Sequence, residues 1–317
     1  MQRLLRRCAS LALASLLPLI GSPLHAATLL VVCQAGSAVS VVDTATLSET
    51  HRIPVAAGPA SLIHVPQTHS VYVTHPDAGL LSRIDAQNLT NVTTVPIGGQ
   101  PFGITADDQH LYVGDWSANT VRRFHLPDLQ LTGTVTVGLG PAGLALDPER
   151  QELYSADREG GTVSVVDLVT LQTRATIPVG TAPYAFDTSK PQAMLNVADV
   201  RKGRIARVDK TRHTVTYLPT GKMPYGLATD PLSGRILVAN QQSATLALLD
   251  PSRPDRTLQL RAGTAPESVI VDSPHRRAYI TDWFADQVLV VDLEKGAVTA
   301  AIPVAAGPRN LIILPGS

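Results

Sequence analysis

The chain has 317 residues, 44% of them hydrophobic and 16% charged, and its 26 basic and 26 acidic side chains leave a formal net charge of zero. Without a cationic stripe it lacks the footprint through which proteins neutralise phosphate, which disfavours a nucleic-acid partner. Two cysteines exclude a disulfide scaffold, and the absence of CxxC, HExxH, CxxCH, GxSxG and Walker patterns removes the common metal, haem-attachment, hydrolase and nucleotide signatures.

In chain order, the first feature is a leader. Arg3, Arg6 and Arg7 precede an apolar run from Leu11 to Ile20, followed by Leu24-His25-Ala26. This is the three-part pattern of a secretory signal cut after Ala26. The apolar run is too short to span a bilayer, and no later stretch approaches the ~20 residues a membrane helix needs. The expected product, residues 27–317, is a periplasmic protein without a membrane span. Losing residues 1–26 leaves 23 basic against 26 acidic side chains and strands Cys33 without an intramolecular disulfide partner.

From there to the C-terminus one unit repeats. Pro59, Pro101, Pro141, Pro183, Pro224, Pro266 and Pro308 recur at intervals of 40 to 42 residues. The unit at residues 141–180 reads as four β-rich runs, Gly143–Leu146, Glu152–Ala156, Thr162–Asp167 and Arg174–Val179, separated by Asp-Pro, Glu-Gly-Gly and Val-Thr turn signals. Four short strands in a unit of this length make a propeller blade. Six units are complete. The seventh is divided, with three outer strands in AATLLVVCQAGSAVSVVDTATLSETHRIPVA and the inner one in PRNLIILPGS. The expectation is an all-β, single seven-bladed propeller of four-stranded blades, closed by pairing the C-terminal inner strand with three N-terminal outer strands, which removes open sheet edges.

The segments YVTHPDAGLLSRID, YVGDWSANTVRRF, YSADREGGTVSVVD and YITDWFADQVLVVD resemble the YVTN-type β-propeller repeat over essentially the whole mature chain. The resemblance implies the propeller fold. It groups the chain with YncE-like periplasmic propellers and, more distantly, with d1-haem-domain and lactonase-like propellers. So many activities share this fold that it names none of them.

Candidate site residues follow from strand direction. The loop before each inner strand and the loop between the second and third strands lie on the same face. Residues following the repeat prolines give one ring at the channel mouth: Ala60, Phe102, Ala142, Tyr184, Tyr225, Glu267 and Arg309. Second-strand ends give another: Cys33, His75, Asp115, Asp157, Asp199, Asn240 and Asp282. Asp and Asn at such positions commonly serve turns, and this reading is preferred for Asp157, Asp199 and Asn240. Phe102, Tyr184, Tyr225, Glu267 and Arg309, the rim residues Trp116 and Trp283, and the adjacent Asp115 and Asp282 are assigned to ligand or partner binding. Cys33 and His75, which replace the repeat Asp on neighbouring blades, are ligand types that suit zinc, copper or a haem iron; no cofactor is otherwise expected. The resulting expectation is a monomeric, non-enzymatic binding or interaction scaffold whose mouth face holds a small molecule or a periplasmic protein. The alternative is a cofactor-binding protein (tetrapyrrole or metal) or a lactonase-like enzyme using the same face.

Overall fold

The computed structural model describes residues 27–314 apart from 91, 127 and 190–192. The leader assigned to residues 1–26 and the last three residues of the C-terminal segment lie outside the described residues. The described residues form seven four-stranded antiparallel sheets. Blades 1 to 6 begin with the inner strands Leu62–Val65, Pro101–Ala106, Pro141–Asp147, Pro183–Phe186, Pro224–Thr229 and Pro266–Asp272. Blade 7 joins the two ends, with Pro308–Leu314 pairing antiparallel to Thr28–Cys33 and the strands Ala38–Asp43 and Ser48–Pro54 outside them. No helix among the described residues is long and apolar enough to cross a membrane.

Alternation along the strands explains how the ring holds together. In a strand successive side chains face opposite sides, so a strand sandwiched between two blades must be apolar on both. In Thr28–Cys33 the residues Leu29, Val31 and Cys33 pack with Tyr279, Val288 and Ile302 of blade 6, whereas Leu30 and Val32 pack with Val71, Val73 and Ile84 of blade 1. Each of the other five seams between adjacent blades carries an equivalent apolar cluster. The core is therefore a ring of inter-blade layers around a central channel.

The exposed face away from the mouth is set by turn chemistry. Asp43, Asp85, Asp167, Asp209 and Asp292, each closing a third strand, accept hydrogen bonds from the backbone N–H groups two and three residues on. Asp250 does so from Ser252. These are Asx turns that start the outer hairpins of six blades, whereas the third strand of blade 2 ends at His125.

One departure from the sequence reading positions the site. In blades 2 to 6 the inner strand starts at the repeat proline itself and its pairing then breaks, whereas in blade 1 it starts at Leu62. In blade 2 Pro101 pairs with Asp115, but the next paired residue is Ile104, opposite Val113. The same interruption follows Pro141, Pro183, Pro224 and Pro266. A bulge of this kind re-aims side chains out of the ladder. Here it turns the residue after the proline into the channel. Gly103 marks how closely neighbouring inner strands approach, since a Cβ there would lie 2.1 Å from the carbonyl oxygen of Ala142.

Candidate functional site

The channel contains a cavity of about 540 Å³ lined by the inner strands of all seven blades. Its wall mixes apolar and polar side chains, Leu62, Ile63, Ile104 and Ile270 with Ser61, Thr105, Ser268 and Asn310. At one end the bulged residues converge. The rings of Phe102 and Tyr184 are 6.1 Å apart and those of Tyr184 and Tyr225 are 4.9 Å apart, both edge to face, which is the preferred geometry for aromatic pairs. Arg309 completes the cluster, its guanidinium 5.1 Å from the centre of Phe102. It donates to Gln34 Oε1 at 2.8 Å and to the Tyr184 hydroxyl at 2.9 Å, and its Nε lies 3.3 Å from Glu267 Oε1. The structure thus brings together Phe102, Tyr184, Tyr225, Glu267 and Arg309, residues from five blades.

Electrostatics at this end depend on burial. Burial pushes the Glu267 carboxyl up to about 7, against the opposing pull of Arg309. Burial also works against the charge on Arg309, but Tyr184 and Glu267 overcome it and hold the guanidinium above its usual value. The Tyr184 phenol is raised by burial as well. The cluster holds a cation firmly and a carboxyl group that is easily protonated.

Trp116 and Trp283 stand at the rim, each half-buried. Trp116 lies 5.3 Å from Phe102 between ring centres, and Trp283 lies 5.9 Å from the Arg309 guanidinium. Each also rests on the next blade. Gly140 and Gly307 precede repeat prolines with φ of 65° and 67°, and a Cβ on them would lie 3.3 Å and 3.5 Å from Trp116 and Trp283 respectively. The indoles therefore brace a blade seam and touch the mouth residues Phe102 and Arg309 without lining the cavity themselves.

The second ring faces a different way. Asp115 and Asp282 are buried behind the mouth and hold the loop that leads into their own inner strand. Asp282 accepts from the N–H groups of Thr264 and Ala265, the Thr264 hydroxyl and the Gln287 amide. Asp115 accepts from the N–H groups of Gln100 and Ala118 and from the Ser117 hydroxyl. Neither lines the cavity. Asp199 and Asn240 grip their loops in the same way.

Cys33 and His75 also stand behind the mouth, both fully buried. Seven residues after each is a serine, as Ser164 follows Asp157. The Cys33 Sγ lies 3.5 Å from Ser40 Oγ, His75 Nε2 lies 2.9 Å from Ser82 Oγ, and Ser164 donates to Asp157 at 2.7 Å. Ser40 then receives the Ala305 N–H at 3.0 Å, as Ser164 receives that of Gly138 at 3.1 Å. The substituted residues keep the connection that the acid makes elsewhere. Burial pushes the Cys33 thiol up to about 11 and His75 down, so the thiolate that a metal would need is disfavoured. Among the described residues no three His, Cys, Asp or Glu side chains stand together as metal ligands would.

Two contributors escape a reading of residue types alone. Gln34 anchors Arg309. Arg158 lies 5.9 Å from Trp116 and 6.0 Å from Tyr184, measured from its guanidinium carbon to the ring centres, with its Nε buried and without a hydrogen bond among the described residues. Their signal in the sequence is position, since both occupy the place held in other blades by Trp116 and Trp283. A second cavity of about 590 Å³ lies on the opposite face, among His64, Gln67, Asp107, Asp108, His110 and Arg123.

No protein-family model matches the chain, and no curated protein matches it in sequence. Solved structures share its fold. A chain of Kuenenia stuttgartiensis hydrazine synthase is 17% identical, with a TM-score of 0.72, over 84% of this chain and 92% of that one. The dihydro-haem d1 dehydrogenase NirN in complex with DHE is 15% identical, with a TM-score of 0.68, over 95% of this chain and 77% of that one. Apo AztD from Citrobacter koseri is 15% identical, with a TM-score of 0.66, over 93% and 99%. At such identities the likeness is one of fold.

Proposed function

We propose that this chain is an exported, periplasmic propeller of the YVTN type that acts as a monomeric binding protein and holds a small ligand at the channel mouth. The observation that carries this reading is the cavity of about 540 Å³ with Phe102, Tyr184, Tyr225, Glu267 and Arg309 gathered at one end beneath Trp116 and Trp283. Ligand sites typically occupy about 300–1,000 Å³, are mostly apolar, and place a few polar groups that fix orientation. The channel matches in volume and in the polar groups that converge at its mouth. The dihydro-haem d1 dehydrogenase of the same fold is a complex with DHE, which supports a ligand-holding role for a propeller of this kind.

Both tryptophans of the chain stand at this mouth, so their emission reports its occupancy. The test is a titration of the protein with haemin, phenylacetate, phenylacetamide and phenethylamine. At least one is expected to change the emission saturably, and Phe102→Ala should weaken that probe by about 1–3 kcal/mol, or about 5- to 150-fold. No saturable change with any probe, or unchanged affinity in both Phe102→Ala and Tyr225→Ala, would refute the mouth as the site.

A further inference from the structure

Glu267 is the acidic side chain among the residues that line the cavity. It is 6% exposed, lines the cavity and makes no hydrogen bond among the described residues; its one polar contact is the Arg309 Nε at 3.3 Å. Arg309, by contrast, is fixed by Gln34 and Tyr184. The Tyr225 hydroxyl, beside Tyr184, likewise makes no hydrogen bond among the described residues. The Glu267 carboxyl oxygens open onto the cavity, where a ligand can supply the hydrogen bonds that the protein does not. Hydrogen-bonding capacity at this point is thus directed into the cavity.

The charges around the mouth decide the chemistry of that partner. On the side of Tyr184 and Tyr225 the loops of blades 3 to 5 carry Arg158, Arg201, Lys202 and Lys222, the last three exposed. Glu159, the acid of this arc, is already shared between Arg158 at 3.0 Å and Arg201 at 3.4 Å. A positive arc beside a concave site draws anions toward it. An ammonium ligand would instead meet Arg309 and Arg158. A carboxylate gains from Arg309 and can accept a short, charge-assisted hydrogen bond from a protonated Glu267.

Resting on the reading of the mouth as a ligand site, we infer that it takes the carboxylate of a small acid with an apolar body, and that Glu267 takes up one proton from solvent as that acid binds. The carboxylate lies between Arg309 and Glu267. The apolar body packs on Phe102, Tyr184 and Tyr225. The groups facing Glu267 are Arg309 from blade 7, Tyr225 from blade 5 and Tyr184 from blade 4. On its own blade Asp282 is held by the Thr264 and Ala265 N–H groups, and Asp286 accepts from Gly307 N. With Glu267 raised to about 7 in the free protein, the direction of the pH dependence follows. Below that pH the proton is already present and affinity is level. Above it each binding event must bring a proton, so affinity falls about tenfold per pH unit.

Phenylacetate, phenylacetamide and phenethylamine share one apolar body and differ in charge, and calorimetry in two buffers of different ionisation enthalpy counts the protons taken up. Wild type should prefer phenylacetate, lose about tenfold in affinity per unit above about pH 7, and absorb close to one proton per site at about pH 8. Glu267→Gln, which keeps an N–H donor and cannot titrate, should bind phenylacetate at about pH 6 within a few-fold of wild type and show a flat profile above it. A profile in wild type that Glu267→Gln leaves unchanged, or no proton uptake, overturns the inference. If phenethylamine or phenylacetamide saturates the tryptophan emission and phenylacetate does not, the mouth remains a ligand site and the acid specificity is wrong. If none of the three binds and haemin also fails, the mouth reading falls with it.

Discussion

Truncation after Gly307 should abolish cooperative folding. The segment removed contains Pro308–Leu314, the inner strand of blade 7, and its loss uncovers Thr28–Cys33, where Leu29, Leu30, Val31, Val32 and Cys33 are all fully buried. Leu311 and Leu314 are 4% and 6% exposed, and full burial of such a side chain contributes about 1.5–3 kcal/mol. Those two alone approach about 5 kcal/mol, against a total stability of about 5–15 kcal/mol for a typical domain. The truncation also opens the ring at two seams, because Leu311 belongs to the cluster shared with blade 6 and Leu314 to the one shared with blade 1. The exposed strand edge then invites association with other chains. Thermal unfolding followed by circular dichroism should show no sharp transition, or precipitation on refolding. A truncated chain melting within a few degrees of the full-length one would mean that blade 7 is not closed in this way.

The second large effect lies behind the mouth. Asp282→Ala should cost about 3–5 kcal/mol, because it leaves two backbone N–H groups of a buried loop without their charged acceptor, and each such loss costs about 1–3 kcal/mol. The loop it holds runs directly into Pro266 and Glu267, so the site is disturbed together with the fold. Blade 5 supplies an internal control. There Asn240 stands in the equivalent place and accepts from Gly221 N and Thr220 Oγ1. Asp282→Asn should therefore keep most of the stability that Asp282→Ala loses. The comparison is made by the denaturant midpoint of each variant. Asp282→Ala unfolding at the wild-type midpoint, or Asp282→Asn costing as much as Asp282→Ala, would contradict the loop-holding role.

These two effects also show where the sequence speaks clearly and where it does not. The ring of seven blades is legible because a propeller repeats its turn chemistry: a proline every 40 to 42 residues, four β-rich runs between prolines, and a missing strand at one end that the other end supplies. Strand direction alone placed Phe102, Tyr184, Tyr225, Glu267 and Arg309 on one face. That each of them points into the channel is a consequence of the bulge after the proline, and a one-residue change of register in a strand reverses which side a residue faces. The same limit affects Asp115 and Asp282. Beside Trp116 and Trp283 they look like partners in a binding surface, yet their carboxylates turn inward to the loop behind them. Cys33 and His75 depart from the repeat in residue type while keeping its connection through Ser40 and Ser82. That connection spans two strands and becomes visible only when the hairpin is folded. The pairing of Glu267 with Arg309 is the converse, since residues one repeat apart on adjacent blades become neighbours wherever the blades are in register.

Fluorine NMR of protein labelled with 5-fluorotryptophan tests the central claim most directly, because its two resonances both report on the mouth and single Trp→Phe variants assign them. Addition of phenylacetate at mildly acid pH should move both resonances along one saturation curve that matches the calorimetric affinity. Binding detected by calorimetry with neither resonance moved would place the ligand elsewhere, with the opposite-face cavity among His64, Asp107 and His110 as the next site to examine, and would contradict the assignment of the channel mouth.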